Sequence, residues 1–245
     1  FFVTGASYIY QTTQFPNSIN KYHNYYLLLR VRAYFGACSH VPEQLGVDAA
    51  GELSGKALKS CLTDPRLPVR IAAMDAYFGT VYPHERQCSE AVELPGGTPT
   101  EKAEFRDNLI ADIAKVEQGM KIALIGVVNP LIAAIRKRGG TCLPCDLQME
   151  RTHWGDPVEK DMEKVLDSAD GVICTGMTLS NGTFDRVIER VLERSIPLTV
   201  YAQTGSAVAA RFVGAGITSL VAEPFPFSQF SANATRVFCY RGQGD

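Results

Sequence analysis

From Lys121 onward the chain alternates short apolar runs with amphipathic runs, and this alternation restricts the fold more than any other feature. Residues 121–126, Lys-Ile-Ala-Leu-Ile-Gly, have the length and apolarity of a buried strand. Asn129 and Pro130 follow as an N-cap and a proline at the first helical position, where a missing N–H does no harm. That helix ends at Gly139-Gly140. Residues 141–146 read as a second strand, weakened by Pro144, which withholds a ladder donor. Val158, Met162, Val165, Leu166 and Ala169 mark the next helix, with Asp156 and Pro157 as its cap and first residue. Residues 171–174 are a third strand. Phe184, Val187, Ile188, Val191 and Leu192 then recur at i, i+3, i+4, i+7 and i+8, one apolar helix face. A fourth strand (196–201), a helix (206–213) stopping at Gly214 and a fifth strand (217–221) complete the series. Strand, helix, strand with short connections specifies a parallel sheet covered on both faces, a Rossmann-like domain.

The first part has another texture. Residues 1–36 are rich in Tyr, Phe, Thr and Val with period-two stretches, Tyr22, Asn24 and Tyr26 against His23, Tyr25 and Leu27, which predicts hairpins or a meander. Helical segments over 51–62 and 68–82 follow. The expected division is an α+β unit over 1–92, a linker and leading helix over 93–119, and the Rossmann-like parallel-sheet domain over 120–245, an α/β class overall. No internal repeat or low-complexity tract interrupts it.

Composition excludes several function classes. A net charge of −2 without a basic block argues against a nucleic-acid partner, and the longest apolar runs, such as 122–128, fall far short of the roughly 20 residues that cross a bilayer. Seven scattered cysteines and no signal-peptide pattern point to a reducing, cytoplasmic setting. The opening Phe-Phe-Val-Thr-Gly lacks a methionine, as expected if residues precede it. The expected partner is a small molecule or metal ion, and a homo-oligomer is compatible with the sequence.

In an open parallel sheet, ligands bind beyond the carboxyl ends of the strands. Those loops are residues 126–130, 175–183, 203–206 and 222–225, all bearing Gly, Thr, Ser, Asn or Glu. Thr178, Asn181, Gly182 and Thr183 can cap the helix after them or offer donors to an anionic or polar ligand. A dinucleotide fingerprint is poorly matched: Gly126 is followed by Val127 and Val128 where further glycines belong, although Asp146 stands 20 residues on, at the place of a ribose-binding acid. No P-loop and no G-x-S-x-G occurs. Cys142 and Cys145 have CxxC spacing without a second pair, and on a regular strand they point to opposite faces, which fits buried thiols better than a metal site. His153 and Trp154 read as loop or lid material. Cys38 and His40, near the end of the β region, and His84, Glu85 and Cys88, after the second helical segment, are expected to meet at the interface between the two units.

The segments KIALIGVVNPLIAAIRKRGG, SADGVICTGMTLSNGTFDRVIE, YAQTGSA and VGAGITSLVAEP resemble, in order and spacing, the C-terminal domain of a family of heavy-metal chelation proteins. Its most specific piece is T-G-x-T-L-x-N-G-T, matched by Thr175, Gly176, Thr178, Leu179, Asn181, Gly182 and Thr183. The first part resembles the companion domain of that family, similar to the N-terminal domain of enolase, through VRIAAMDAYF. Asp75 stands where the family favours Asn, and Gln203-Thr204 replace Gly-Pro before Gly205 and Ser206. The resemblance implies a cleft between the two units, one wall made by the Rossmann-like loops and the other by the Asp75 helix and the Cys38/His40 region.

Two functions follow as expectations. The first is binding of a metal, a divalent transition ion, or a metal chelate, with Cys38, His40 and His84 as ligands, helped by Asp75 and Cys88, and with Asn129, Thr175, Gly176, Thr178, Asn181, Gly182, Thr183, Gly205 and Ser206 around the ligand. The second is an enzyme acting on a small amino-acid-like or nucleotide-like molecule, with the loop 178–183 binding an anion and Asp75 or Glu223 as acid or base. A pure scaffold ranks below both.

Overall fold

The computed structural model describes residues 1–14 and 21–242, so residues 15–20 of the expected hairpin region, and 243–245, lie outside the described residues. An antiparallel sheet opens the chain: β1 (Gly5–Thr13), β2 (Tyr22–Val31) and β3 (Tyr34–His40) lie in that order. Its middle strand is covered on both faces. Leu27, Leu29 and Val31 face one core, while Tyr26 and Leu28 pack with Phe227 in another. Hence the run Tyr-Tyr-Leu-Leu-Leu is apolar without a break.

The helix expected over 51–62 is two short ones, α1 (Ala49–Leu53) and α2 (Leu58–Leu62), because Gly55 takes a left-handed φ of +84° between them. The next, α3 (Leu67–Val81), lies where expected and packs very closely on β3. Gly36 and Gly79 permit this: a Cβ at Gly36 would fall 2.1 Å from the Ala76 amide nitrogen, and one at Gly79 2.2 Å from the Tyr34 ring.

After α4 (His84–Gln87) come β4 (Glu90–Leu94), α5 (Pro99–Ile113), β5 (Lys121–Ile125), α6 (Asn129–Lys137), β6 (Thr141–Cys145), α7 (Met162–Ser168) and β7 (Gly171–Thr175). The chain continues through α8 (Met177–Ser180), α9 (Phe184–Arg194), β8 (Leu198–Ala202), α10 (Ser206–Ala209), β9 (Ser219–Ala222) and β10 (Thr235–Arg241). The large sheet has the order β4-β10-β9-β8-β7-β5-β6, parallel from β5 to β9, with β10 antiparallel to both its neighbours. The α/β class and the mostly parallel sheet are as expected. Two strands are additional. The boundary drawn at 92/93 falls inside β4, and the stretch expected as linker from 93 begins as strand. Pro144 is tolerated because β6 is an edge strand.

Each face of this sheet has its own cover. Ile122, Leu124, Ile173, Tyr201 and Val221 meet Ile110, Leu131 and Ile135 of α5 and α6. On the other face Ala123, Val172, Cys174 and Val200 join Val187 and Val191 of α9, and this core continues through Val69, Ile71 and Ala72 of α3 to Leu27 and Leu29. Cys145 belongs to this second core and Cys142 packs against the first, so the CxxC thiols do lie on opposite faces.

Candidate functional site

The chain runs from β5 outward to β6, then returns across β5 to β7. The loops leaving β5 and β7 therefore diverge, and this is the switch point at which such sheets bind ligands. A cleft of about 1030 Å³ opens there. Its floor is the end of β5 with Gly126, Val127 and Val128. One wall is the loop through Thr175, Thr178, Asn181 and Thr183, and the opposite wall comes from the first sheet through Tyr22, His23 and His40 and from Gln44 in the turn after it. Gly126 has φ +85°, and a Cβ on it would sit 2.6 Å from the Thr175 Oγ1. Only glycine lets the two loops approach in this way.

The loop hydroxyls expected to serve a ligand are mostly engaged at home. Thr178 Oγ1 donates to the Thr175 carbonyl (2.8 Å), Ser180 Oγ to the Met177 carbonyl (2.9 Å) and Thr183 Oγ1 to Asn181 Oδ1 (2.7 Å). Asn181 Oδ1 also accepts from the Thr183 amide, which organises the turn into α9. Asp185 occupies the first turn of α9, so its carboxylate already answers the positive end of the helix dipole and opposes a bound anion. Thr175 differs. Its Oγ1 is buried and has no partner.

A second buried, unpartnered group belongs to the opposite wall. His40 is 4% exposed, packed against the Tyr8 and Tyr25 rings, and its Nε2 is buried without a hydrogen bond. Its Nδ1 lies 3.0 Å from the Val41 carbonyl. A carbonyl can only accept, so Nδ1 carries the proton. Burial draws the His40 pKa below the ordinary histidine value, against the opposing pull of that carbonyl. The ring is then neutral and Nε2 presents a bare lone pair. Gln44, which the sequence did not single out, ties the walls together by accepting from the Val41 amide (3.1 Å) and donating to the Ser180 carbonyl (3.4 Å).

The remaining expected site residues lie elsewhere and brace the structure. Asp75 is an interunit bracket: Oδ2 accepts from the Ala37 amide of β3 (2.8 Å) and Oδ1 from the Ala207 amide of α10 (2.7 Å). Burial raises its carboxyl to about 7 against the downward pull of these backbone donors. Gly205 donates from its amide to the Ala37 carbonyl (2.9 Å), and Ser206 Oγ lies 3.2 Å from His84 Nε2. His84 Nδ1 is 2.6 Å from the Tyr240 hydroxyl, and its ring stacks on Phe238. Burial first, then Arg211, depresses the His84 pKa to about 4. Cys38 is fully buried, its thiol donating to the Ser39 carbonyl and burial raising its pKa. Gly176 packs on the loop after β8, where a Cβ would fall 2.4 Å from the Thr204 carbonyl oxygen.

Glu223, the other expected acid or base, is also engaged. It accepts from the Tyr201 hydroxyl (2.5 Å), from Gln203 Nε2 (3.1 Å) and from the Ser228 amide, and lies 3.9 Å from the buried Arg106 guanidinium. Neither Asp75 nor Glu223 lines the cleft. Asn129, expected as an N-cap, is the first helical residue after Val128; its side chain donates to the Tyr22 hydroxyl (3.0 Å) and accepts from the His153 amide (2.9 Å). Asp161, not Asp156, caps α7. Asp146 does stand at the cleft, but Oδ2 accepts from the Val127 amide and Oδ1 from those of Gln148 and Met149, so both oxygens serve the loops.

The expected metal set is therefore divided. His40 lines the cleft, whereas Cys38 and His84 are held in the brace beside Asp75. No group of three or more His, Cys, Asp or Glu among the described residues is placed to hold a metal ion. These residues do not fit a bare ion in an all-protein site, which takes about four donors for zinc or more for harder ions. Nor is any helix among the described residues long and apolar enough to cross a membrane.

An α/β protein with a large, mostly parallel sheet, a small antiparallel sheet and a cleft at the switch point of the large one is the class that the fold defines. Residues 108–218 match the model of the family DUF364, described as "Putative heavy-metal chelation". Two solved structures share the fold along nearly the whole chain. A DUF364 protein of unknown function from Desulfitobacterium hafniense DCB-2 superposes with a TM-score of 0.65 at 14% identity, covering 98% of this chain and 91% of that one. Another, from Pyrococcus horikoshii, gives 0.56 at 13% identity, covering 94% and 92%. No curated protein matches.

Proposed function

We propose that this chain binds a small metal chelate in the switch-point cleft, the metal arriving already held by an organic chelator. The observation that carries this reading is the pair of buried, unpartnered polar atoms at the cleft, His40 Nε2 and Thr175 Oγ1. A buried polar atom without a partner is costly, by about 1–3 kcal/mol, and marks a place where something else binds. The cleft is large enough for a small organic ligand, and the described residues offer no donor set of a bare-ion site there. The family description supports a metal, and the donor count supports a chelate. Acid/base catalysis through Asp75 or Glu223 finds less support, because each carboxylate is already held by protein donors outside the cleft.

Native mass spectrometry of gently purified protein, with metal analysis of the same sample, tests the reading. The expected result is one organic mass together with one metal per chain, both absent from Gly126→Ala, whose added Cβ crowds the cleft floor. Metal without an organic mass, or an organic mass without metal, would overturn it.

A further inference from the structure

We infer that two copies of this chain associate by pairing their β1 strands edge to edge about a two-fold axis at Ile9, so that the small antiparallel sheet continues from one copy into the other. The inference is independent of the ligand reading above.

The register shows which groups this edge offers. Both backbone groups of Ala37 on β3 are used outside the sheet, the amide donating to Asp75 and the carbonyl accepting from Gly205. Ala37 therefore turns them away from β2, and Leu28 opposite it turns its own N–H and C=O toward Ser7 of β1. Alternation along β1 then leaves Ala6, Tyr8, Tyr10 and Thr12 with both backbone groups aimed outward, and none of the four makes a further backbone bond among the described residues. The segment 55–57 closes the edge only as far as Val3, whose amide donates to the Lys56 carbonyl and whose carbonyl accepts from Gly55.

An edge of this kind takes another strand unless something guards it. The other sheet edges are guarded: β3 by Asp75 and Gly205, β4 by Glu90 and Glu93, and β6 by Pro144 and the bridge from Cys145 to Glu159. By contrast β1, Gly-Ala-Ser-Tyr-Ile-Tyr-Gln-Thr-Thr, has neither a charge nor a proline. The occupant is a second copy because the strand is complementary to itself. Setting Ile9 against the partner's Ile9 overlaps the whole of residues 5–13 and places outward residues opposite outward residues, Tyr8 against the partner's Tyr10 and Ala6 against the partner's Thr12, with no like charges opposed. Tyr10 is 52% exposed and stacks on Tyr25 at 4.6 Å, so the partner's Tyr8 extends an aromatic row that already runs from His40 through Tyr25 to Tyr10. Nine residues give an edge only about 30 Å long, small for a permanent interface, so the dimer is expected to come apart on dilution.

Sedimentation velocity of the intact chain over a dilution series should show a reversible monomer–dimer equilibrium. Thr12→Pro should abolish it, since the substitution removes an outward amide and no bond to β2. Position 9 alone meets itself, with Cα atoms about 4.5 Å apart, within the span of a disulfide. Mild oxidation should therefore link Ile9→Cys into a covalent dimer and leave wild type unlinked, whereas Ser7→Cys and Gln11→Cys should link only when mixed. Circular dichroism melts check that each variant folds, and if Thr12→Pro does not, the cysteine pattern decides alone. A wild type that stays monomeric at every concentration would overturn the inference, as would a dimer that persists in folded Thr12→Pro or that fails to link through Ile9→Cys.

Discussion

Acidification should loosen the junction at His84, and the size of the effect can be worked from its surroundings. The ring is 1% exposed, and burial first, then the Arg211 charge, hold its pKa near 4 in place of 6.5. The folded pKa is depressed, so the unfolded chain binds the proton first. The contribution of His84 is therefore complete above pH 6.5 and is lost as pH falls toward 4. Lowering the pKa from 6.5 to about 4 amounts to about 3 kcal/mol, a large share of the stability of an ordinary domain. Asp75 works against this. Its raised pKa gives a contribution that is complete below the unfolded value near 3.8 and is lost as pH rises through about 7, so wild type alone should show a shallow pH profile. Comparison with His84→Gln removes that compensation, because Asp75 is common to both proteins. Urea unfolding followed by circular dichroism should show the variant less stable at pH 7 by the lost Tyr240 and Ser206 contacts. The gap between the two proteins should then narrow by about 3 kcal/mol on going to pH 4. A gap of constant size from pH 7 to pH 4 would refute the argument.

Other perturbations follow from the packing. Gly36→Ala should lower stability by about 2 kcal/mol or more in urea, because its Cβ would meet the backbone of α3 at Ala72 and Ala76, which cannot rotate aside. Gly126→Ala and Gly182→Ala both force a left-handed φ on a side chain, costing about 1–2 kcal/mol, but only the first crowds Thr175. Thermal melts should fall in both, whereas the organic mass and metal read by native mass spectrometry should be lost in the first alone. Cys142 and Cys145 should resist cross-linking by diamide, with no two-proton mass loss, since three residues of strand separate their Cα atoms by about 10 Å.

Much of the large sheet was legible because its signals are local. Five apolar runs with a helix between each successive pair mark β5 to β9 and their parallel direction, and the T-G-x-T-L-x-N-G-T motif lies within the stretch that matches the DUF364 model. What escaped depends on partners distant in sequence. The strand β4 buries only Leu94 fully, and Glu90 and Glu93 make it look like linker; it is a strand because β10 lies beside it. The site was legible to the level of the loop but not of the atom. Thr175, Thr178, Asn181, Thr183 and His40 do gather at one cleft, yet no pattern in the sequence tells that Thr178 and Thr183 bond to their own loop while Thr175 does not. Asp75, Gly205, Ser206 and His84 carry the polar character of a site into a junction between units, where that polarity satisfies buried amides and hydroxyls.

The place of β10 between β4 and β9 also bears on the order in which the chain can assemble. On the ribosome, β4 emerges with no strand to pair with and keeps an open edge until residues 235–241 follow, about 140 positions later, long after α5 has formed above it. Closing so long a loop is slow compared with the local strand-helix-strand steps between β5 and β9. The parallel core can therefore form early and the sheet be sealed last, with the exposed β4 edge, fringed by Glu90 and Glu93, shielded by charge from pairing with another chain in the meantime.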